Sequence, residues 1–106
     1  MRLFDFTKKP DINEGVKTFA ATPGAMLLDV RNPDEYAGGH IPGSVNLPLS
    51  EIRTAEDRIP DPDTPLFVYC LSGARSSRAI AELQSMGYTS LRNLGGISKW
   101  NGAIEK

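Results

Sequence analysis

The chain has 106 residues, 40% hydrophobic and 24% charged, with a formal net charge of -1. That is enough for one ordinary core and speaks against a generally basic, nucleic-acid-binding surface. One Cys and one His exclude an internal disulfide and fall short of the roughly four ligands of a Cys/His zinc site, so no metal is expected.

Met1-Arg2-Leu3-Phe4-Asp5-Phe6 lacks the apolar core of a signal peptide, and no apolar run approaches the roughly 18 residues of a membrane span. The expectation is one domain over residues 1–106, cytoplasmic, monomeric and free of membrane contact. Residues 3–6 offer a short edge strand. Asp11 with Glu14 has the spacing of a capping box, and Ile12, Val16, Phe19 and Ala20 then share one helical face. Thr22-Pro23-Gly24 ends that helix. Residues 25–30 form a continuous apolar run closed by Asp29 and Val30, which predicts a strand buried on both faces, as in a parallel sheet. Arg31 falls just past its C-terminal end, the edge at which open parallel sheets bind ligands.

Asn32-Pro33-Asp34-Glu35-Tyr36 predicts a short helical turn, with Pro33 at its tolerated first position. A loop through Gly39-His40-Ile41-Pro42-Gly43 leads to a very short strand over 44–47. Ser50 is placed to cap a helix reaching Arg58, with Ile52, Ala55 and Ile59 inward. A Pro-rich loop over 60–65 precedes the central strand, 66–69. A helix beginning near Ser76 carries Ala79, Ile80, Leu83 and Met86 on one face and ends at Gly87. Residues 89–94 predict another strand, after which Gly95-Gly96 turns into a final helix that inserts Ile97, Trp100 and Ile104. Strands alternating with helices give an α/β fold, a small parallel sheet covered on both faces.

The chemistry concentrates where the central strand stops at Cys70 and Leu71-Ser72-Gly73-Ala74-Arg75-Ser76 follows. A strand-to-helix turn points backbone N–H groups into the space above the strand, and Gly73 and Ala74 let it curl without clashes. The following helix aims its positive end at the same spot. Arg75 can add a fixed charge, so Cys70 is biased toward thiolate, the nucleophilic form. The bland reading of the same residues is a buried inert cysteine beside a turn glycine.

In order along the chain, residues 27–31, Pro33-Asp34-Glu35-Tyr36, Gly39-His40-Ile41-Pro42-Gly43-Ser44, Asn46-Leu47-Pro48, Val68-Tyr69-Cys70, Ser72-Gly73-Ala74-Arg75-Ser76, Gly87-Tyr88 and Gly95-Gly96-Ile97 with Trp100 resemble the rhodanese-like sulfurtransferase family in its single-domain form. The likeness runs from about residue 27 to 100. It implies a three-layer rhodanese-like fold with a five-stranded parallel sheet. It also implies an enzyme that moves sulfane sulfur from a small donor such as thiosulfate to cyanide or a small-molecule or protein thiol. Cys70 would carry the sulfur as a persulfide, stabilised by the amides of Leu71, Ser72, Gly73, Ala74 and Arg75 with no cofactor.

Two other functions compete. Some rhodanese-like domains serve as interaction or sulfur-relay modules. A cysteine-dependent phosphatase or arsenate reductase also uses a thiolate in an anion cradle. Only Leu71, Ser72, Gly73 and Ala74 separate Cys70 from Arg75, a shorter ring than the related phosphatases carry, and no acid lies within it to protonate an alkoxide. Around the loop, Arg31 either contacts an anionic donor or pairs with Asp34 or Glu35 as scaffold, and Asp29 reads as an acceptor for loop amides. His40 reads as a satisfied structural histidine, Trp100 as core or pocket wall, and Ser72 and Ser76 as donors to bound sulfur.

Overall fold

The computed structural model describes residues 11–106. Helix α1, Ile12–Ala20, is capped by Asp11, whose carboxylate accepts the amides of Asn13 at 3.0 Å and Glu14 at 3.3 Å. Strand β1 is Met26–Asp29, helix α2 Pro33–Ala37, strand β2 Ser44–Asn46, helix α3 Ala55–Arg58, strand β3 Leu66–Cys70, helix α4 Ala74–Ser85 and strand β4 Leu91–Gly96. The strands are all parallel, in the order β2-β1-β3-β4. The chain therefore winds outward both ways from the central pair, and the loops after β1 and β3 meet at the point where that winding reverses.

Burial on both faces explains the unbroken apolar runs of β1 and β3. Alternate side chains enter separate cores. Leu28, Leu66, Val68 and Cys70 pack with Ile52, Ala55, Ile59, Ala79, Leu83 and Tyr88, beneath α3 and α4. Leu27, Phe67 and Tyr69 pack on the other face with Ile12, Ile41 and Leu94, backed by Phe19 and Trp100. A fully buried Leu of this kind contributes about 1.5–3 kcal/mol relative to exposure. No helix among the described residues is long and apolar enough to cross a membrane.

Four expectations change. The described residues form four strands rather than five, and the edge strand expected over 3–6 lies outside them. Ser50 caps no helix: the chain leaves Pro48 as a 3-10 turn, Leu49–Thr54, with the Glu51 amide bonded to the Pro48 carbonyl, and becomes α-helical only at Ala55. The helix after Cys70 starts two residues earlier than expected, at Ala74, because Gly73 adopts a left-handed φ of 114° and turns the strand directly into it. The final helix is a single 3-10 turn, Ile97–Lys99. Beyond it Trp100 is extended, and Glu105 exchanges both backbone hydrogen bonds with His40 at 2.8 Å. A helix could not make that pairing, and Ile104, expected inward, is 48% exposed.

β4 slips relative to β3: Val68 faces Asn93, but Tyr69 faces Gly95 and Cys70 faces Gly96. Leu94 is the extra residue, a bulge. Its side chain is buried and occupies the space above Gly15, where a Cβ would lie 2.2 Å from Leu94 Cδ2. Tyr69 ties the sheet to the 39–44 loop, because its hydroxyl accepts the Ile41 amide and donates to Ser44 Oγ, both at 3.1 Å. Burial pushes this phenol well above its ordinary pKa, so it stays a donor. Tyr69→Phe leaves the Ile41 N–H without its partner and should destabilise the protein by about 1–3 kcal/mol in urea unfolding.

Candidate active site

Cys70 ends β3 on the α4 side and is 1% exposed. Its Sγ is surrounded by polar donors. The Gly73 amide donates to it at 2.9 Å, and Ser76 Oγ lies 3.6 Å away. Burial pushes the thiol pKa up, but the Ser76 hydroxyl and the amides of Ser76, Gly73 and Ser72 outweigh it, and the net direction is down. The loop that holds the sulfur rests directly on β4. A Cβ on Gly96 would sit 2.2 Å from the Leu71 carbonyl oxygen and 2.6 Å from Ser72 Cα. The Ser98 amide donates to that same carbonyl at 3.2 Å. Leu71 itself turns outward and is 45% exposed at the rim.

Arg75 departs from the free fixed charge that the sequence suggests. It is bound on both forks to Glu35 of α2, at 2.7 and 3.0 Å. The pair joins the first turn of α4, just after the Cys70 loop, to α2, which follows β1. The Arg75 hydrogen bond is the largest influence on Glu35 and, with the Asn32 amide, holds its carboxyl at about 2. Glu35 also accepts that amide at 3.0 Å, which closes the start of α2.

Arg31 pairs with neither Asp34 nor Glu35. Its Nη2 donates to Asp29 Oδ2 and to the Gly39 carbonyl, both at 2.7 Å, and its Nε reaches Asp29 at 3.0 and 3.1 Å. Burial works against its charge, but the Asp29 carboxylate more than offsets that, so its pKa is raised. Asp29 also accepts the Arg31 amide at 2.9 Å, a loop-amide contact of the expected kind. His40 is satisfied, with Nδ1 2.8 Å from the Tyr36 carbonyl and its ring stacked on Tyr36 at 3.7 Å. Trp100 packs into the opposite core and donates from its indole to the Ala103 carbonyl.

Three residues at the site have roles that their local sequence does not declare. Glu35 reads locally as a short-helix residue, Gly96 as a turn and Asn93 as an ordinary strand position, although Glu35 and Gly96 also stand in the motifs of the family resemblance. Asn93 Oδ1 accepts both the Ser76 hydroxyl and the Gly95 amide at 2.8 Å, and its Nδ2 donates to Ser77 Oγ at 3.0 Å. The spacing Asn93-Leu94-Gly95, which lets an Asn side chain bond the amide two residues on, was the available clue.

The rhodanese-like domain family matches residues 13–103. The chain belongs to that family. Among its relatives, the protein YqhL of Bacillus subtilis is 44% identical over 82 residues, which cover 76% of this chain and 64% of that protein, so the chain spans less than two thirds of it. The thiosulfate sulfurtransferase PspE of Escherichia coli is 38% identical over 71 residues, covering 66% of this chain and 68% of PspE. A solved rhodanese with anions from E. coli superposes with a TM-score of 0.72 at 34% identity, covering 77% of this chain and 98% of that one.

Two outcomes follow for this rhodanese-like chain. Gly96→Ala forces backbone away from backbone under the loop, and should cost about 1–3 kcal/mol in thermal or urea unfolding. Glu35→Gln keeps an acceptor for the Asn32 amide but removes the charge facing Arg75. Because Glu35 is depressed from 4.5 to about 2, its contribution is full above pH ~4.5 and is lost as pH falls toward ~2. The variant's deficit in melting temperature should therefore be largest at neutral pH and vanish near pH ~2.

Proposed function

We propose that the chain is a sulfurtransferase that carries sulfane sulfur on Cys70. The observation that carries this reading is the Gly73 amide and Ser76 hydroxyl turned toward a cysteine sulfur that is buried yet biased toward thiolate. In the first half-reaction the Cys70 thiolate attacks the outer sulfur of thiosulfate. The S–S bond of the donor breaks, sulfite leaves with its electron pair, and a persulfide anion remains on Cys70. In the second, cyanide or a thiolate attacks the outer persulfide sulfur, takes it, and returns Cys70 as thiolate. The exchange is covalent and ping-pong, with no net redox change and no cofactor.

Each loop residue has a role in this reading. The amides of Leu71, Ser72, Gly73, Ala74 and Arg75 receive the persulfide charge, and the Ser76 hydroxyl supports the inner sulfur. Arg75 braces the loop through Glu35 and adds a partly compensated positive charge. Arg31 serves as scaffold, since Asp29 and the Gly39 carbonyl engage its guanidinium. The family assignment and the name of PspE support thiosulfate as donor. A reducing compartment such as the cytoplasm suits the first step, which needs a reduced Cys70.

The phosphatase alternative is weaker on chemical grounds. The carboxylate bound to the loop, Glu35, is held at about 2 and is ionised at neutral pH. It has no proton to give an alkoxide, whereas sulfite leaves without one.

Mass spectrometry of the intact protein after thiosulfate treatment tests the proposal. A gain of one sulfur, removed by cyanide and absent from Cys70→Ser, is the expected result. The rate of the gain should fall as pH drops, with a midpoint below the ordinary thiol range because the Cys70 pKa is lowered. Aryl phosphate hydrolysis with no persulfide from any sulfane donor would replace this reading with the phosphatase one, and neither activity would leave an interaction module.

A further inference from the structure

Ser76 has one hydroxyl proton and three acceptors around it. The Gly73 carbonyl is at 3.0 Å, Asn93 Oδ1 at 2.8 Å and Cys70 Sγ at 3.6 Å. When the sulfur is a thiol, it donates to Ser76 Oγ, and the Ser76 proton goes to oxygen. When the sulfur is a thiolate or carries a persulfide, it offers only lone pairs, and the Ser76 proton is its natural donor.

The orientation of Asn93 is fixed independently of Ser76. The Gly95 amide can only donate, so the atom it meets at 2.8 Å must be Oδ1, and Nδ2 then points at Ser77 Oγ. This position exists because of the β4 slip: Asn93 is the last residue in step with β3, and its side chain takes the amide of Gly95 on the far side of the bulge.

We propose that Asn93 is a positioning residue that competes with Cys70 for the Ser76 proton, holding it while the sulfur is a thiol and releasing it when the sulfur becomes charged. This rests on the reading of Cys70 as the reacting thiolate. The Ser76–Asn93 bond then belongs to the thiol state only, whereas the Gly95–Asn93 bond belongs to both. Deleting the side chain of Asn93 leaves the Ser76 proton only the Gly73 carbonyl at 3.0 Å as an oxygen acceptor, so the thiol state loses the shorter of its two choices and the thiolate is favoured. Ser76 acts on sulfur directly, and Asn93 acts only through Ser76.

The test is a double-mutant cycle read by the ultraviolet absorbance of the thiolate against pH, which is clean because Cys70 is the single cysteine. The charges near the sulfur are unchanged by these variants: Arg75 with Glu35 from α2, Asp29 with Arg31 at the end of β1, and Lys99 beside Ser72 and Gly73. Asn93→Ala should lower the Cys70 pKa by about half a unit to one unit, the span of one neutral hydrogen bond. Ser76→Ala should raise it, and Asn93→Ala should add no shift in that background. A rise, no change, or the same shift with and without Ser76 would overturn the proposal.

Asn93→Asp keeps an acceptor for Gly95 and serves if the alanine variant does not fold. It should raise the Cys70 pKa by holding the Ser76 proton harder, and the rise should shrink in Ser76→Ala. An undiminished rise would reduce the effect to charge and overturn the coupling. None of these titrations uses a sulfur donor. A protein that shows the coupling but forms no persulfide would sink the sulfurtransferase reading and leave the role of Asn93 standing, and the converse result would do the opposite.

Discussion

The site depends on one short hydrogen bond, from the Gly73 amide to Cys70 Sγ. It forms only if the chain reverses within three residues of a strand end, and that reversal requires the left-handed backbone of Gly73. The sulfur is thereby fixed at the bottom of the turn rather than at its tip. Burial by itself would keep the thiol neutral. With amides and a hydroxyl aimed at it, the same burial strengthens the interactions that favour the anion, because little water competes with them.

Support for the turn comes from three separate parts of the chain. β4 gives it a glycine floor at Gly96, and the 3-10 turn that follows gives a backbone donor at Ser98. α2 gives it a carboxylate fork on Arg75. β4 acts a second time at Asn93, which holds the first turn of α4 through Ser76 and Ser77. These segments converge because the sheet order puts β1 and β4 on either side of β3. The topology thus places the polar framework, and the two apolar cores keep the strands in register beneath it.

What the sequence made legible follows from where its signals are local. The run ending at Cys70, the small residues after it and the cap at Asp11 each declare themselves within a few positions, and the elements built on them appear. The Arg75–Glu35 pair spans 40 positions and was invisible, since nothing local says which of several carboxylates an arginine will meet. Gly95-Gly96 departs from its local pattern for a related reason. A glycine pair usually signals a turn, but here both residues finish a strand, and Gly96 is glycine because another segment lies on it. The expected last helix failed because a distant residue, His40, claims the backbone of Glu105. The rhodanese-like resemblance supplied the layout that local patterns could not, and the family match bears it out.

The slip between β3 and β4 makes the loop hard to transplant. Copying residues 70–76 onto a regular parallel sheet would carry over the curl and the sulfur. In an unbulged strand, however, the residue opposite Cys70 would be one place out of step, and its side chain would occupy the volume that Gly96 leaves clear. A designer borrowing this cradle has to take both strands, with the irregularity between them, as one unit.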